Sequence, residues 1–340
     1  MDCSDIPVMN SQPHSTDAPT KIGRIDAIDI ARGLALLAMA IYHFTWDLEF
    51  FGYVAPSMTA VGGWKLFARC IASSFLFLVG VSLFLAHGQG IRWQGFIRRF
   101  AMVAGAALVI SLATYIAVPG DFIFFGILHL IALASLLGLA FLRLPAVLTL
   151  VAAALVIAAP QFLRSEFFDH PFWWWAGLSS INPRSNDYVP LFPWFGAVLA
   201  GMAAAQLGVR AGLARRFAGR TFGGWSRPLI FAGRHSLAVY LIHQPILIAC
   251  VWLFSQILPP QQETREVRFL QSCQRSCEET RDSEFCTRYC VCMINALERE
   301  GAMEGIYSGD QSAELLAKVE GVAGICTAET DNKLLGGGLQ

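Results

Sequence analysis

The sequence predicts an all-α membrane protein, a polytopic bundle of about seven transmembrane helices followed by a small cysteine-rich helical tail. Three observations support this fold class. Hydrophobic residues make up 55% of the 340 residues and charged residues only 15%, whereas soluble domains are about 25% charged. Several apolar stretches approach the roughly 20 residues that a helix needs to cross a bilayer. Most of the nine cysteines are concentrated near the C-terminus.

The chain divides into three predicted regions. The polar residues 1–23 lack the apolar core of a signal peptide and predict a disordered cytoplasmic N-terminal tail. Residues 24–258 contain the apolar stretches, and residues 259–340 form the cysteine-rich tail. The formal net charge is zero, so the composition provides no basic surface for a nucleic acid. Membrane lipid is therefore the expected surrounding of the central region.

The predicted spans and their orientation follow from length and charge. The stretches that satisfy the length rule are 27–46, 66–86, 98–118, 122–141, 144–160, 190–208 and 229–257. Alternate connections are rich in Lys and Arg, which are concentrated on the cytoplasmic side of membrane proteins. The other connections are poor in them, with Arg164 and Arg184 in the longest one. We therefore expect a multi-pass protein of the cell inner membrane with a cytoplasmic N-terminus and a periplasmic C-terminus.

A periplasmic tail explains the clustered cysteines, because disulfides form in oxidising compartments. The pairs Cys273/Cys277 and Cys286/Cys290 each lie four residues apart on one helical face, which predicts two disulfides between the arms of a helical hairpin. Cys292 and Cys326 are the candidates for a third disulfide. The sequence leaves the pairing open. A zinc site is the alternative, although the tail contains no histidine.

The first span carries ionisable groups at both ends of one face. Arg32 and His43 are eleven residues apart, which is about three turns and about 16 Å along the same side of a helix. Asp47 follows His43 by one turn, where a carboxylate can orient an imidazole. We interpret this face as part of a cavity that connects the two sides of the membrane. Alternatively, Arg32 pairs with Asp29, and His43 is a hydrogen-bonding residue of the interface.

Other polar residues in or near the spans are candidates for a substrate cavity. They are His129 in the fourth span, Asp187 and Tyr188 before the sixth, and His243 in the seventh. Ionisable groups inside a membrane usually face the bundle interior or a wet cavity. A core histidine with satisfied hydrogen bonds is the other interpretation of His129. No group of residues is predicted to bind a metal.

Five ordered segments resemble the bacterial relatives of heparan-alpha-glucosaminide N-acetyltransferase, within the superfamily of transmembrane acyltransferases. The resemblance covers about residues 24–257, and an arginine followed after ten residues by a histidine is also similar to acyltransferase family three. The segments are RIDAIDIARGLALLAMAIYHFTWDL, ASSFLFLVGVSLFLA, FGILHLIALASLL, DYVPLFPWFG and GRHSLAVYLIHQP.

The resemblance implies that an acetyl group passes from cytoplasmic acetyl-CoA to an amine or hydroxyl of a sugar or glycan acceptor outside. His43 would be the catalytic histidine, as a general base or as an acetyl carrier, with Asp47 beside it. Arginines recognise phosphate bidentately, so the candidates for the CoA phosphates are Arg32, Arg98, Arg99 and Arg234.

Two other functions stay open at the level of sequence. One is a proton-coupled transporter in which His43, His129 and His243 form a relay, although the chain shows no internal repeat with paired broken helices. The other is a membrane scaffold for the cysteine-rich tail. The sequence gives no prediction of the oligomeric state.

Overall fold

The computed structural model describes residues 25–181, 183–217, 222–260 and 265–336. The predicted disordered segment 1–23 lies outside these ranges. Every regular element within them is helical, which confirms the all-α fold class. The membrane region contains the helices α1 (Asp26–Phe50), α2 (Gly62–His87), α3 (Trp93–Ala117), α4 (Ile127–Gly138), α5 (Ala146–Leu163), α6 (Leu191–Arg210), α7 (Leu213–Phe217), α8 (Arg227–Arg234) and α9 (Ser236–Ile257).

The tail adds four helices, and short 3₁₀ turns lie in several connections. The tail helices are α10 (Arg265–Cys277), α11 (Ser283–Arg299), α12 (Met303–Ser308) and α13 (Ala313–Gly336). The 3₁₀ turns are Met58–Ala60, Pro119–Asp121, Leu139–Phe141, Glu166–Asp169, Pro171–Ala176 and Gly224–Ser226.

Within the described ranges, six helices are long and apolar enough to cross a membrane, namely α1, α2, α3, α5, α6 and α9. A seventh, shorter apolar segment covers Ile127–Phe141. This arrangement agrees with the predicted bundle of about seven spans. It identifies the chain as a multi-pass membrane protein.

The fourth span begins later than the sequence suggests. Helix α4 starts at Ile127 rather than at residue 122, because polar groups bind the preceding backbone in a non-helical conformation. The Thr114 hydroxyl accepts the Ile123 N–H (3.0 Å), and the Ser111 hydroxyl donates to the Ile123 carbonyl. The Asp187 carboxylate accepts the Ile127 N–H (2.9 Å). Irregular backbone is tolerated at membrane depth when protein groups satisfy it in this way.

The seventh span is broken rather than continuous. His235 separates α8 from α9 and has φ −106° and ψ 30°. The Phe231 carbonyl accepts both the backbone N–H of His235 (3.1 Å) and its ring Nδ1–H (3.0 Å). Helix α8 packs so closely against α1 that a Cβ atom at Gly33 or Gly233 would overlap the backbone of the opposite helix. The break lets α8 follow α1 before α9 continues through the bundle.

The main core of the bundle lies around α6, which packs against α2 on one side and α5 on the other. Its buried residues include Leu76, Leu130, Val198, Leu199 and Met202. Helix α1 packs against α2, α8 and α9, while α3 packs against α4. The α1–α9 contact therefore lies beside the main core, and it carries the polar residues described below.

Three disulfides hold the described part of the tail together. The bonds Cys273–Cys290 and Cys277–Cys286 join α10 to α11, and Cys292–Cys326 joins α11 to α13. The predicted helical hairpin with two cross-links is therefore confirmed, and all six tail cysteines are used. A small apolar core that includes Leu297, Met303 and Val322 lies under these bonds.

The tail docks on the end of the bundle where α1 ends. The Arg275 guanidinium donates to the Pro56 carbonyl in the α1–α2 connection. From the α5–α6 connection, Arg184 Nη1 donates to the Gly309 carbonyl of the tail (3.3 Å). The Tyr53 hydroxyl donates to the Leu258 carbonyl, just beyond α9. The tail and the connections that were predicted to lie outside the cell therefore share one end of the molecule.

Candidate functional site

The end of α1 that was predicted to be cytoplasmic carries a group of ion pairs. The buried Asp29 carboxylate pairs with Arg32 Nη1 (3.0 Å) and with Arg234 Nε (3.6 Å). Arg234 Nη2 also pairs with Asp26 (2.9 Å), and the Arg32 guanidinium donates to the Ser82 hydroxyl. Two of the four predicted phosphate-binding arginines, Arg32 and Arg234, are therefore bound to carboxylates. The pairing of Arg32 with Asp29 is the one expected by the alternative interpretation of the first span.

A basic cleft lies at the same end of the bundle, where α2 ends and α3 begins. It encloses about 560 Å³, and Arg92, Arg99, His87 and Trp93 contribute to its lining. A narrower cavity that Arg99 and His87 also line continues toward Ser135 on α4. Arg99 is close enough to Arg32 for the two charges to repel each other. Arg98 is exposed and is not part of either lining.

Two residues of this cleft were missed by the sequence analysis as binding candidates. Arg92 served only as one of the positive charges that predict the orientation in the membrane, and His87 was not considered. His87 Nδ1 accepts the backbone N–H of Arg92 (3.2 Å), and its ring contacts Phe96 edge-on (5.7 Å between centroids). The signal was present in the basic loop QGIRWQGFIRR, and the turn that joins α2 to α3 places His87 beside it.

The C-terminal half of α1 brings His43 and a histidine of α9 together. The His43 ring meets the His243 ring of α9 in a T-shaped contact, with 5.0 Å between centroids. His243 Nδ1 donates to the Tyr240 carbonyl (2.6 Å), since a carbonyl can only accept. In the neutral form of the ring, His243 Nε2 is therefore the unprotonated acceptor. This buried atom has no hydrogen-bond partner among the described residues.

Asp47 lies one turn beyond His43 and is fully buried. Its Oδ1 accepts from Gln244 Nε2 of α9 (2.7 Å). Among the described residues no hydrogen bond joins Asp47 to His43, so the carboxylate orients the amide of Gln244 rather than the imidazole. Asp47 Oδ2 and Gln244 Oε1 are buried without a partner in the described part of the chain. Gln244 was not recognised from the sequence, because its contact with Asp47 spans 197 residues.

Asp187 connects the outer loops to the same part of α9. Its carboxylate accepts the Ile127 N–H and a hydrogen bond from the Tyr240 hydroxyl. Burial raises the pKa of the Asp187 carboxyl, against the opposite effect of these two hydrogen bonds. Tyr240 lies one turn before His243, so Asp187 is linked to the histidine pair through this tyrosine.

Tyr188 has packing and hydrogen-bond contacts in the outer loop. Its hydroxyl donates to the Trp174 carbonyl (2.6 Å), and its ring packs against Phe124 (5.6 Å between centroids). Burial raises the pKa of the Tyr188 hydroxyl to about 12, so this group remains protonated at neutral pH. The structure describes no contact between Tyr188 and the histidine pair.

His129 uses both ring nitrogens at the start of α4. Nδ1 accepts the Gly126 N–H (3.1 Å), and Nε2 lies 3.1 Å from the Ser111 hydroxyl oxygen. Because the Ser111 proton goes to the Ile123 carbonyl, Nε2–H is the donor in the second bond. His129 thus fixes the irregular entry into α4, as the core-histidine interpretation expects.

The structure therefore groups four residues, His43, Asp47, His243 and Gln244, at one contact between α1 and α9. The group contains two imidazoles, a carboxylate and an amide with buried acceptor atoms, which suits proton transfer and the binding of a hydrogen-bond donor. The basic cleft lies at the opposite end of the bundle and suits an anion.

Comparison with known proteins identifies one family model, described as "Heparan-alpha-glucosaminide N-acetyltransferase, catalytic", which matches residues 24–245. The matched range includes the basic cleft and all four residues of the α1–α9 group, and it ends before the cysteine-rich tail. No curated protein and no solved structure matches the chain.

Proposed function

This chain belongs to the heparan-alpha-glucosaminide N-acetyltransferase catalytic family, a family of transmembrane acetyltransferases, and we propose that it acetylates a sugar or envelope glycan outside the cell with cytoplasmic acetyl-CoA. The acceptor atom is an amine nitrogen or a hydroxyl oxygen. The observation that carries this proposal is the His43–His243 contact, which lies within the matched range and at the opposite end of the bundle from a basic cleft. Such a separation suits a donor and an acceptor that arrive from opposite sides.

The basic cleft is the proposed site for the acetyl-CoA phosphates. Arg92 and Arg99 supply guanidinium groups for charge-assisted hydrogen bonds to phosphate oxygens, and both line the cleft. The ring of Trp93 is 57% exposed, so it is available to stack on the adenine base. Arg32 and Arg234 contribute positive charge behind the cleft while they remain paired with Asp29.

In the proposed reaction, His43 is the general base. It takes the proton of the acceptor as the acceptor nitrogen or oxygen bonds to the thioester carbonyl carbon. The carbon–sulfur bond breaks, and the proton is delivered to the sulfur, which leaves as the free thiol of CoA. When the His243 ring is neutral, its Nε2 is an acceptor next to the His43 ring, so it can accept a hydrogen bond from protonated His43.

An acetyl-histidine intermediate on His43 is the second chemical route. The contact with His243 favours the base mechanism, because it gives the protonated ring a partner. An intact-mass measurement after acid quenching separates the two routes. The covalent route would be established if the wild type gained the mass of one acetyl group with acetyl-CoA and no acceptor. The His43→Ala variant should then gain none.

The transporter alternative has less support than acetyl transfer. A relay through His43, His129 and His243 needs His129 to exchange protons, yet both of its nitrogens are bound at the start of α4. The scaffold alternative assigns no role to the buried polar group between α1 and α9. Function that survives His43→Ala and fails when the tail cysteines become serine would favour the scaffold.

The experiment for the proposed function uses the purified full-length chain, radiolabelled acetyl-CoA and a panel of amino sugars. We expect labelled acceptor with the wild type and none above background with His43→Ala. His170→Ala is the matched control, because His170 lies in an exposed outer loop. Uptake of solute into proteoliposomes without CoA release would instead support a transporter. Equal transfer by wild type and His43→Ala would exclude His43 as the base.

A further inference from the structure

Two buried oxygen atoms at the α1–α9 contact have no donor among the described residues, namely Asp47 Oδ2 and Gln244 Oε1. They belong to one hydrogen-bonded pair, because Gln244 Nε2 donates to Asp47 Oδ1 (2.7 Å). An ionised carboxylate cannot donate, so the amide presents its nitrogen to ionised Asp47 and leaves Oε1 as an acceptor. The orientation of both remaining oxygens is thereby fixed.

Such a pair is costly unless something provides donors for it. Buried polar groups are nearly always hydrogen-bonded, and a buried carboxylate is more expensive to leave partly satisfied than a neutral group. Asp47 is fully buried, and its one described hydrogen-bond donor is Gln244 of α9. Two acceptors kept together at this place therefore fit a ligand that supplies hydrogen-bond donors.

We propose that Asp47 Oδ2 and Gln244 Oε1 form a subsite for a second, non-reacting donor group of the acceptor. The proposal rests on the proposed function, since it places the reacting amine or hydroxyl at His43. His43 and Asp47 are separated by one turn, about 6 Å along the helix. Donors on neighbouring atoms of a sugar ring can reach both positions. The acceptor class is thus a ring with adjacent hydroxyl or amino groups.

Gln244 acts here as a positioning and binding residue, and it takes no part in the proton transfer. It holds Asp47 in one orientation and offers its own oxygen to the same donor. An acceptor with a single amine or hydroxyl leaves both oxygens unsatisfied, and sites built to bind a donor reject analogues that lack it. The subsite therefore predicts discrimination between acceptors that differ only in the second group.

The rival occupant is a buried water molecule that satisfies both oxygens and plays no part in recognition. The two possibilities differ in how the protein responds to a matched pair of small probes, trans-2-aminocyclohexanol and cyclohexylamine. These amines share a ring and differ by one hydroxyl. A water that stays in place gives the two probes equal affinity, whereas the proposed subsite favours the amino alcohol.

The test is equilibrium binding of both probes to the full-length protein in detergent, measured by calorimetry. We expect the wild type to bind trans-2-aminocyclohexanol about 10-fold more tightly, as one hydrogen bond to a charged group provides. In Gln244→Met this preference should fall below about 2-fold, because the variant loses the hydrogen bonding that provides it. Gln256→Met is the matched control, because Gln256 is exposed on the same helix, and it should retain the wild-type preference.

Equal affinity of the wild type for the two probes, or no binding of either, overturns the subsite, and so does a preference that survives in a folded Gln244→Met variant. If that variant fails to fold, the wild-type comparison alone decides. The proposed function is tested in a separate assay, which measures acetyl transfer to the same two amines. A preference for the amino alcohol without acetyl transfer would support the subsite and contradict the proposed acetyltransferase. Acetyl transfer without that preference would support the acetyltransferase and contradict the subsite.

Discussion

The two ends of α1 accommodate their ionisable groups in different ways. Near the start of the helix, the buried Asp29 carboxylate is shared by Arg32 and Arg234, so the negative charge is compensated by two cations. Near the other end, buried Asp47 receives one hydrogen bond from Gln244 and keeps an oxygen without a donor among the described residues. A compensated cluster holds helices together, whereas an incompletely satisfied one is suited to a ligand.

The same contrast separates two positions that look alike in the sequence. Asp29 and Asp47 are both acidic residues of one apolar helix, and each has a basic residue within one turn, Arg32 and His43 respectively. Only the opposite helix distinguishes them, since α8 and its junction with α9 supply Arg234 at one end and α9 supplies His243 and Gln244 at the other. Substitutions of His43 and Asp29 test this difference, and substitutions in the basic cleft and in the tail give smaller effects for comparison.

The largest expected effect is on catalysis near the C-terminal end of α1. His43→Ala should lower kcat about 10² to 10⁴-fold, which is the usual contribution of a general base. The melting temperature should stay close to that of the wild type, because His43 makes ring contacts and no hydrogen bond within the described part of the chain. A radiolabel assay and a thermal scan of the same preparation measure both. If the variant lost its fold together with its activity, His43 would have a structural role, and the two ends of α1 would no longer differ in this respect.

The next largest effect is on stability at the opposite end. Asp29→Asn leaves Arg32 and Arg234 without their shared carboxylate and should cost about 3 kcal/mol, the scale for breaking a buried ion pair. Thermal unfolding in detergent measures the loss. Asp26→Asn is the matched control and should cost less, since the Asp26 side chain is 32% exposed and that of Asp29 only 3%. Equal losses for the two variants would contradict the structural role of Asp29.

A smaller effect is expected in the basic cleft. Arg99→Gln removes one charge-assisted hydrogen bond to phosphate and should raise the KM for acetyl-CoA about 10-fold with little change in kcat. Steady-state kinetics with varied acetyl-CoA measure the change. Arg143→Gln, in an exposed connection outside the cleft lining, is the control and should leave KM unaltered. A fall in kcat at unchanged KM would place Arg99 at the reaction centre instead.

The smallest effect concerns the disulfide-bonded tail, beyond the helices of the membrane region. The Asp282 carboxylate accepts the Phe285 N–H at the start of α11 (3.0 Å), which lowers the pKa of this carboxyl from its ordinary 3.8. A lowered folded-state pKa stabilises the protein above the unfolded pKa, and the contribution disappears as pH falls through the folded value. Asp282→Asn should therefore lower the melting temperature slightly at neutral pH, and the difference should vanish in acid. A difference that grows in acid would contradict this sign.

Much of the fold was predictable because it depends on local pattern. The apolar stretches reach the length of a membrane span, and cysteines four residues apart face the same way on a helix, so the bundle and the hairpin disulfides follow from the sequence. The start of α4 at Ile127 and the break at His235 were not predictable. Both depend on groups supplied by distant segments, such as Asp187, or on the close packing of α8 against α1.

The candidate site was predictable only in part. The spacing of Arg32, His43 and Asp47 along one helix indicates a shared face, but it does not show which residues lie opposite. His243 was singled out as an intramembrane histidine, whereas Gln244 gave no signal because an amide is unremarkable in a sequence. The roles of Arg92 and His87 depend on how α2 and α3 meet. A single sequence does not show which residues of distant helices meet, as Asp47 and Gln244 do.

Acetyl transfer from one side of the membrane to the other can be tested most directly in proteoliposomes in which the protein has one orientation. Acetyl-CoA is supplied only on the side of the basic cleft, and an amino sugar only on the side of the disulfide-bonded tail. We predict that acetylated sugar accumulates on the tail side and that CoA thiol is released on the cleft side. Product that forms only when both substrates are on the same side would contradict this arrangement.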